Sequence, residues 1–230
     1  MSASTRARGC VAGAVLAAAV LVAPATASAQ PACSGHVGLT FDDGPGDTTA
    51  ELLNALRQHG LRATMFNRGD SADAHPALVE EQVDAGMWVG NHSYGHQHMT
   101  QLSRPEMDDE ISRAQQAIAG AGGGTPTLFR PPYGETNETL REVAQSHGLT
   151  EIIWDVDSLD WNNATVDEIV EANARLTDGQ VILMHDWAPN TLAAIPRIAE
   201  VLEDKGLCPG AISPRTGQAV APDELPRGRF

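Results

Sequence analysis

The sequence predicts an α/β fold: a parallel sheet with helices outside it. Three observations carry this. Short β-type runs alternate with amphipathic helical runs along most of the chain, Gly or Pro punctuates many of the helical runs, and 42% of the 230 residues are hydrophobic, enough for a core. Such units could close into a barrel or form an open doubly wound sheet, and periodicity alone does not choose between them. No repeat of fixed period is present, which argues against a solenoid. The length suits one domain, or at most two small ones.

The elements follow in order. Val37, Leu39 and Phe41 alternate as in a strand. Residues 49–59 form a helix with Leu52, Leu53 and Leu56 on one face and Gly60 as its stop. Residues 63–66 read as a second strand, 76–85 as a helix ended by Gly86, and 87–90 as a third strand. Ser103-Arg104-Pro105-Glu106 is a capping box with proline near the helix start, and that helix runs to about Gly120. Gly122-Gly123-Gly124 is a loop too short for a domain linker. Residues 127–129 make a fourth strand, 137–147 a helix stopped by Gly148, and 151–154 a fifth strand. Thr165-Val166-Asp167-Glu168 is a second capping box. Residues 181–184 form a sixth strand, followed by a helix over about 192–204.

The two ends read differently. Residues 1–29 resemble a secretory signal: Arg6 and Arg8 are a short basic start, 10–22 is apolar, and Ala27-Ser28-Ala29 is a cleavage site. The apolar stretch is shorter than the roughly 20 residues that span a bilayer. One folded domain is expected over 30–210 and an irregular tail over 211–230. Signal removal takes the formal charge from −15 to −17 and leaves two of three cysteines, Cys33 and Cys208. In an exported chain these two are expected to form a disulfide. Lys205 is the only lysine, and 30 acidic residues stand against 15 basic ones, which argues against nucleic acid and anionic membrane as partners.

The unusual polar clusters each lie just after a strand: Thr40-Phe41-Asp42-Asp43-Gly44-Pro45, Asn91-His92-Ser93-Tyr94-Gly95-His96, Arg130-Pro131-Pro132-Tyr133-Gly134, Asp155-Val156-Asp157-Ser158-Leu159-Asp160-Trp161 and Met184-His185-Asp186. In parallel α/β folds the carboxyl ends of the strands form the ligand-binding face, so all five converge there. His92 and His96 are four apart and put two imidazoles on one side of a turn. One carboxylate of Asp42-Asp43 completes a His, His, carboxylate set that leaves a position for water. Adjacent aspartates diverge, so the other stays free as a base, a hydrolytic arrangement. His185 can supply the proton for a leaving group, with a nearby carboxylate keeping it protonated. Gly-x-Ser-x-Gly is absent, against a serine esterase.

Taken together the five clusters resemble the five motifs of the polysaccharide deacetylase family, carbohydrate esterase family 4, in the same order from Thr40 to Asp186. The resemblance implies a distorted (β/α) barrel and one divalent metal ion held by Asp43, His92 and His96. The imidazoles favour zinc, and cobalt could serve in the same set. It implies Asp42 as general base positioned by Arg130, the Tyr133 N–H at the oxyanion, and His185 as general acid oriented by Asp160. Trp161 and Leu183 would shape the acetyl pocket. The stretches 60–67, 84–88 and 153–157 are closer still to secreted bacterial acetyl xylan esterases of this family. The expected activity is therefore extracellular O-deacetylation of xylan by a monomer. N-deacetylation of chitin oligomers or peptidoglycan is the alternative, and a non-catalytic carbohydrate-binding protein is more remote because every motif residue is present.

The remaining candidates have plainer readings. His59 and His147 sit at helix ends and suit the helix dipole. His98 reads as a solvated loop residue. Asp155, Asp157 and Asp160 lack the glycine and distal glutamate of a calcium loop, although Asp157 could support the site by hydrogen bonding. Asp186 and Trp187 read as rim residues, with Asp186 a possible helix cap.

Overall fold

The structure is a computed structural model and describes residues 33–224, with Met1–Ala3 besides. The expected leader over 1–29 and its cleavage site therefore lie outside the described residues, apart from those first three. From Cys33 onward the elements alternate. β1 (Gly35–Asp42) leads to α1 (Thr49–Gln58), then β2 (Thr64–Asn67), α2 (Gly69–Ala74), α3 (Pro76–Asp84) and β3 (Trp88–Asn91). Next come α4 (Arg104–Gly120), β4 (Leu128–Phe129), α5 (Glu138–Ser146), β5 (Thr150–Glu151) and β6 (Val156–Asp157). The chain finishes with α6 (Val166–Ala174), β7 (Val181–His185), α7 (Pro189–Asp204), β8 (Leu207–Pro209), β9 (Ala211–Ile212) and β10 (Ala219–Val220). Among the described residues no helix is long and apolar enough to cross a membrane.

The strands pair in parallel in the order β5-β4-β3-β2-β1-β7-β6, with β8 joining β1. This order requires curvature. Six inter-strand steps of about 4.8 Å would put β5 and β6 about 29 Å apart in a flat sheet. Yet only residues 152–155 join them, and five residue steps reach at most roughly 18 Å. The sheet is therefore curled, as a distorted (β/α) barrel is, with the helices outside. β1 lies inside it, between β2 and β7, and is buried along almost its whole length, as a parallel strand covered on both faces must be. Val37, Leu39 and Phe41 pack in one core with Leu52, Leu53 and Leu56 of α1 and Ile195, Ile198 and Leu202 of α7.

Both capping boxes are present, at Ser103/Glu106 and Thr165/Glu168. Several expectations are corrected. The fifth strand is Thr150–Glu151, not 151–154, because the chain leaves β4 there to cross to the far edge as β6. α2 was missed, since its sequence Gly-Asp-Ser-Ala-Asp-Ala has no apolar stripe. α7 begins earlier than 192, with Pro189 in its first turn. The tail is not irregular throughout 211–230. β9 and β10 form an antiparallel pair, and Ala211, Ile212 and Ala219 are buried. β9 and β10 span two residues each, in a segment whose Pro, Gly and Arg content reads as irregular.

Cys33 and Cys208 form a disulfide with Cα atoms 5.7 Å apart. The β1–β8 ladder sets this up, since His36 pairs with Cys208.

Candidate active site

The strand ladders align the chemistry before any side chain is considered. Asp42 and His185 are the last residues of β1 and β7 and are paired in register. Asn91, before His92, pairs with Phe129, before Arg130. The five clusters thus open on one end of the sheet. There a cavity of about 510 Å³ is lined by residues that include Asp42, Asp43, His92, His96, Tyr133, Trp161, Leu183 and His185.

Asp42 is buried and faces Arg130, whose Nη1 donates to Asp42 Oδ1 at 2.8 Å and to Thr40 Oγ1 at 2.6 Å. The guanidinium is fully buried and lies 4.3 Å from the centre of the Phe66 ring. Thr40 donates in turn to the Ile182 carbonyl. Burial pulls Arg130 below its ordinary value against the Asp42 charge, but an arginine stays cationic.

Asp43, His92 and His96 bring three ligand atoms within 4.8 Å of one another. Asp43 Oδ1 lies 3.7 Å from His92 Nε2 and 3.2 Å from His96 Nε2. It is buried and, among the described residues, has no hydrogen-bond donor. His92 Nδ1 is 2.7 Å from the Arg130 carbonyl, which accepts its N–H and so leaves Nε2, with its lone pair, on the Asp43 side. Two imidazole lone pairs around an orphaned carboxylate oxygen are the donor set of a divalent transition metal, so the residues fit the implied ion. Burial pushes Asp43 up, but the two imidazoles and the Trp187 indole outweigh it and hold the carboxyl below its ordinary value. Burial lowers His96, with Asp43 opposing.

His185 and Asp160 form the third group. Asp160 accepts from His185 Nδ1 and from the His185 amide, both at 2.7 Å, and from Thr191 Oγ1 at 2.6 Å. Burial pulls His185 down, but the Asp160 hydrogen bond and the Asp42 charge outweigh it, so it is raised above an ordinary imidazole. Asp160 itself is held low, since its donors outweigh the burial that would raise it.

The backbone is strained where this chemistry sits. Asp43 (φ 75°), Ser93 (61°), His96 (55°), Tyr133 (61°) and Leu159 (58°) all occupy the left-handed region without being glycine. In the Tyr133 turn, Gly134 and Glu135 donate to the Pro131 and Pro132 carbonyls at 3.1 and 3.2 Å, and among the described residues the Tyr133 N–H enters no such turn bond. Tyr133, Trp161 and Trp187 rim the cavity at 55%, 50% and 46% exposure. Asp157 accepts from the Trp161 indole at 3.3 Å and from the Leu159 amide at 2.8 Å, so it supports the Trp161 loop.

Other readings change. His98 is not simply solvated: its ring stacks on Tyr133 at 4.2 Å and pairs with Glu135 at 3.1 Å. Asp186 is neither rim nor cap of the following helix. It is buried, accepts from Thr49 Oγ1 at 2.6 Å, and burial pushes it up to about 6. A Cβ on Gly44 would meet its Oδ2 at 2.5 Å, so any side chain there would push this carboxylate off Thr49. Three contributors escaped sequence reasoning. Trp154 was placed inside a strand but lines the cavity. Thr191 supports Asp160 from the first turn of α7. Glu110 of α4 accepts from the Tyr94 and Gly95 amides at 3.1 and 2.7 Å and from the Gln97 side chain at 3.1 Å, which ties down the loop carrying His96. No local sequence signal marks any of them.

Comparison with known proteins agrees with this geometry. Residues 29–152 match the family model described as polysaccharide deacetylase. A bifunctional xylanase/xylan deacetylase of Cellvibrio japonicus is 52% identical over 83% of this chain. A peptidoglycan-N-acetylglucosamine deacetylase of Bacillus cereus is 41% identical over 73% of it. The chain spans 29% and 66% of the lengths of these two relatives. Among solved structures, a family 4 carbohydrate esterase from Streptomyces lividans in complex with acetate is 72% identical with a TM-score of 0.83, covering 84% of this chain and 100% of that one.

Proposed function

The chain belongs to the polysaccharide deacetylase family, and from that premise we propose that it is a secreted, metal-dependent deacetylase that hydrolyses O-acetyl esters of xylan. The observation that carries the reading is the convergence of three groups on one cavity: Asp42 with Arg130, Asp43 with the two imidazoles, and His185 with Asp160. Higher identity to the xylan deacetylase than to the peptidoglycan enzyme favours ester over amide. A disulfide and a leader-like start favour an oxidising, extracellular compartment.

Asp43, His92 and His96 would hold one divalent ion, zinc by the choice of donors, which when bound polarises an acyl carbonyl and acidifies water. The chain's own residues do the rest. Asp42 uses Oδ2 to take a proton from the attacking water, while Arg130 holds Oδ1 and keeps the carboxylate aimed. The Tyr133 N–H, which makes no turn hydrogen bond among the described residues, would donate to the charge that develops on the acyl oxygen. His185 keeps Nδ1 on Asp160 and gives the Nε2 proton to the departing sugar oxygen. Water is consumed, the acyl C–O bond breaks, and acetate and a free hydroxyl result. Leu183 and Trp161 wall the acetyl group, and the exposed aromatic rim offers faces to sugar rings.

The test is acetate release from acetylated xylan, acetylated chitooligosaccharide and peptidoglycan, with and without a chelator. Release is expected first from xylan, lost on chelation and restored by zinc. Faster release from an N-acetylated polymer would move the assignment to an N-deacetylase, and none from any substrate after metal addition would overturn it.

A further inference from the structure

Trp187 touches both halves of the site yet takes no part in the proton transfers described. It follows His185-Asp186 at the end of β7, and its ring lies 5.2 Å from that of His185. Its Nε1–H donates to Asp43 Oδ2 at 2.9 Å. The other oxygen, Oδ1, is the one that faces His92 and His96 and has no donor among the described residues. The two oxygens of one carboxylate are therefore separated by function. One is tied to an indole from the turn after β7, 144 residues further on, and the other is left bare toward the two imidazoles.

The sequence cannot supply this restraint locally. Asp43 sits at a positive φ at the start of the β1–α1 connection, and carboxylate rotation is soft. Unrestrained, the group could swing to offer both oxygens or neither. A half-exposed tryptophan is not retained here for core packing, because nearly half of its surface remains in water.

We propose that Trp187 is a positioning residue that holds Asp43 as a one-oxygen metal ligand by keeping Oδ2 engaged on its indole N–H. The proposal rests on reading Asp43, His92 and His96 as the metal set. Outer partners of this kind typically change metal affinity by about 10–100-fold.

The experiment titrates metal-stripped protein with Zn²⁺ against a competing chromophoric chelator, for the parent, Trp187→Phe and Trp161→Phe. Trp187→Phe keeps an aromatic ring and removes only the N–H donor. It is expected to bind Zn²⁺ about tenfold or more weakly, with the circular dichroism of the parent. Trp161→Phe borders the same cavity without touching Asp43 and is expected to match the parent. With Co²⁺ in place of Zn²⁺, the visible bands of Trp187→Phe should differ from the parent's, because freeing Oδ2 alters the ligand field. Equal Zn²⁺ affinity in the parent and Trp187→Phe, or an equal loss in both variants, overturns the proposal. A parent that binds no Zn²⁺ overturns instead the metal reading on which it depends.

Discussion

His185 and Asp160 show how single contacts set the site's chemistry. Asp160 is buried with four donors, the fourth being the Trp161 amide at 2.8 Å, so ionisation is favoured despite burial. Its charge raises His185 and keeps it cationic above the usual imidazole range. A general acid works while protonated, so turnover should persist above an ordinary histidine's pKa and fall as pH rises through the raised one. Asp160→Asn removes the charge, so the alkaline limb of kcat/KM should move to lower pH, with a loss of about 100-fold near pH 8 and a smaller one near pH 6. A limb that stays in place would remove Asp160 from this role. The residue types involved were legible in the sequence. Trp154 and Thr191 were not, because nothing in their neighbours distinguishes a residue facing a cavity from one in an ordinary strand or helix.

At the scale of elements, loops carry the ligands and regular structure holds the loops. α4 contributes Glu110, whose carboxylate takes two adjacent backbone amides of the His92–His96 connection. Both bonds are part-buried, so water can partly replace the lost acceptor and each contributes about 0.5–1.5 kcal/mol. Glu110→Ala should therefore speed hydrogen exchange at residues 94–97, lower Tm by several degrees and weaken zinc uptake, while β1 amides stay protected. Unchanged exchange at Gly95 would show that the loop is held by other contacts. The capping boxes and helix stops were readable because capping is chemistry between residues three apart. β6 and β9 were not, since each is defined by its partner strand rather than by a local pattern.

For the whole molecule, the disulfide and the active site occupy opposite ends of β1. Gly35 pairs with Leu207 beside the Cys33–Cys208 bond, whereas Asp42 lies seven residues further along, about 23 Å at strand rise. Cys208→Ser should lower stability by about 2–5 kcal/mol by releasing a loop that closes over most of the chain. It should leave kcat/KM at room temperature within about twofold of the parent. A calorimetric Tm equal to the parent's would show that the β1–β8 ladder alone holds the ends, and a large loss of turnover below Tm would show coupling across the sheet.

The sequence by itself determined the alternation of strands and helices, the cysteine pair and the placing of Asp and His clusters after strands. These are properties of composition, periodicity and near neighbours, which the covalent chain carries directly. The resemblance implied the barrel and the Arg130–Asp42 pairing, but only the tertiary structure decided that Thr191 reaches Asp160 across 31 residues, that Thr49 reaches Asp186 across 137, and that Trp187 reaches Asp43 across 144. Those contacts depend on strand order and register, and register is settled by which distant side chains pack together in one core.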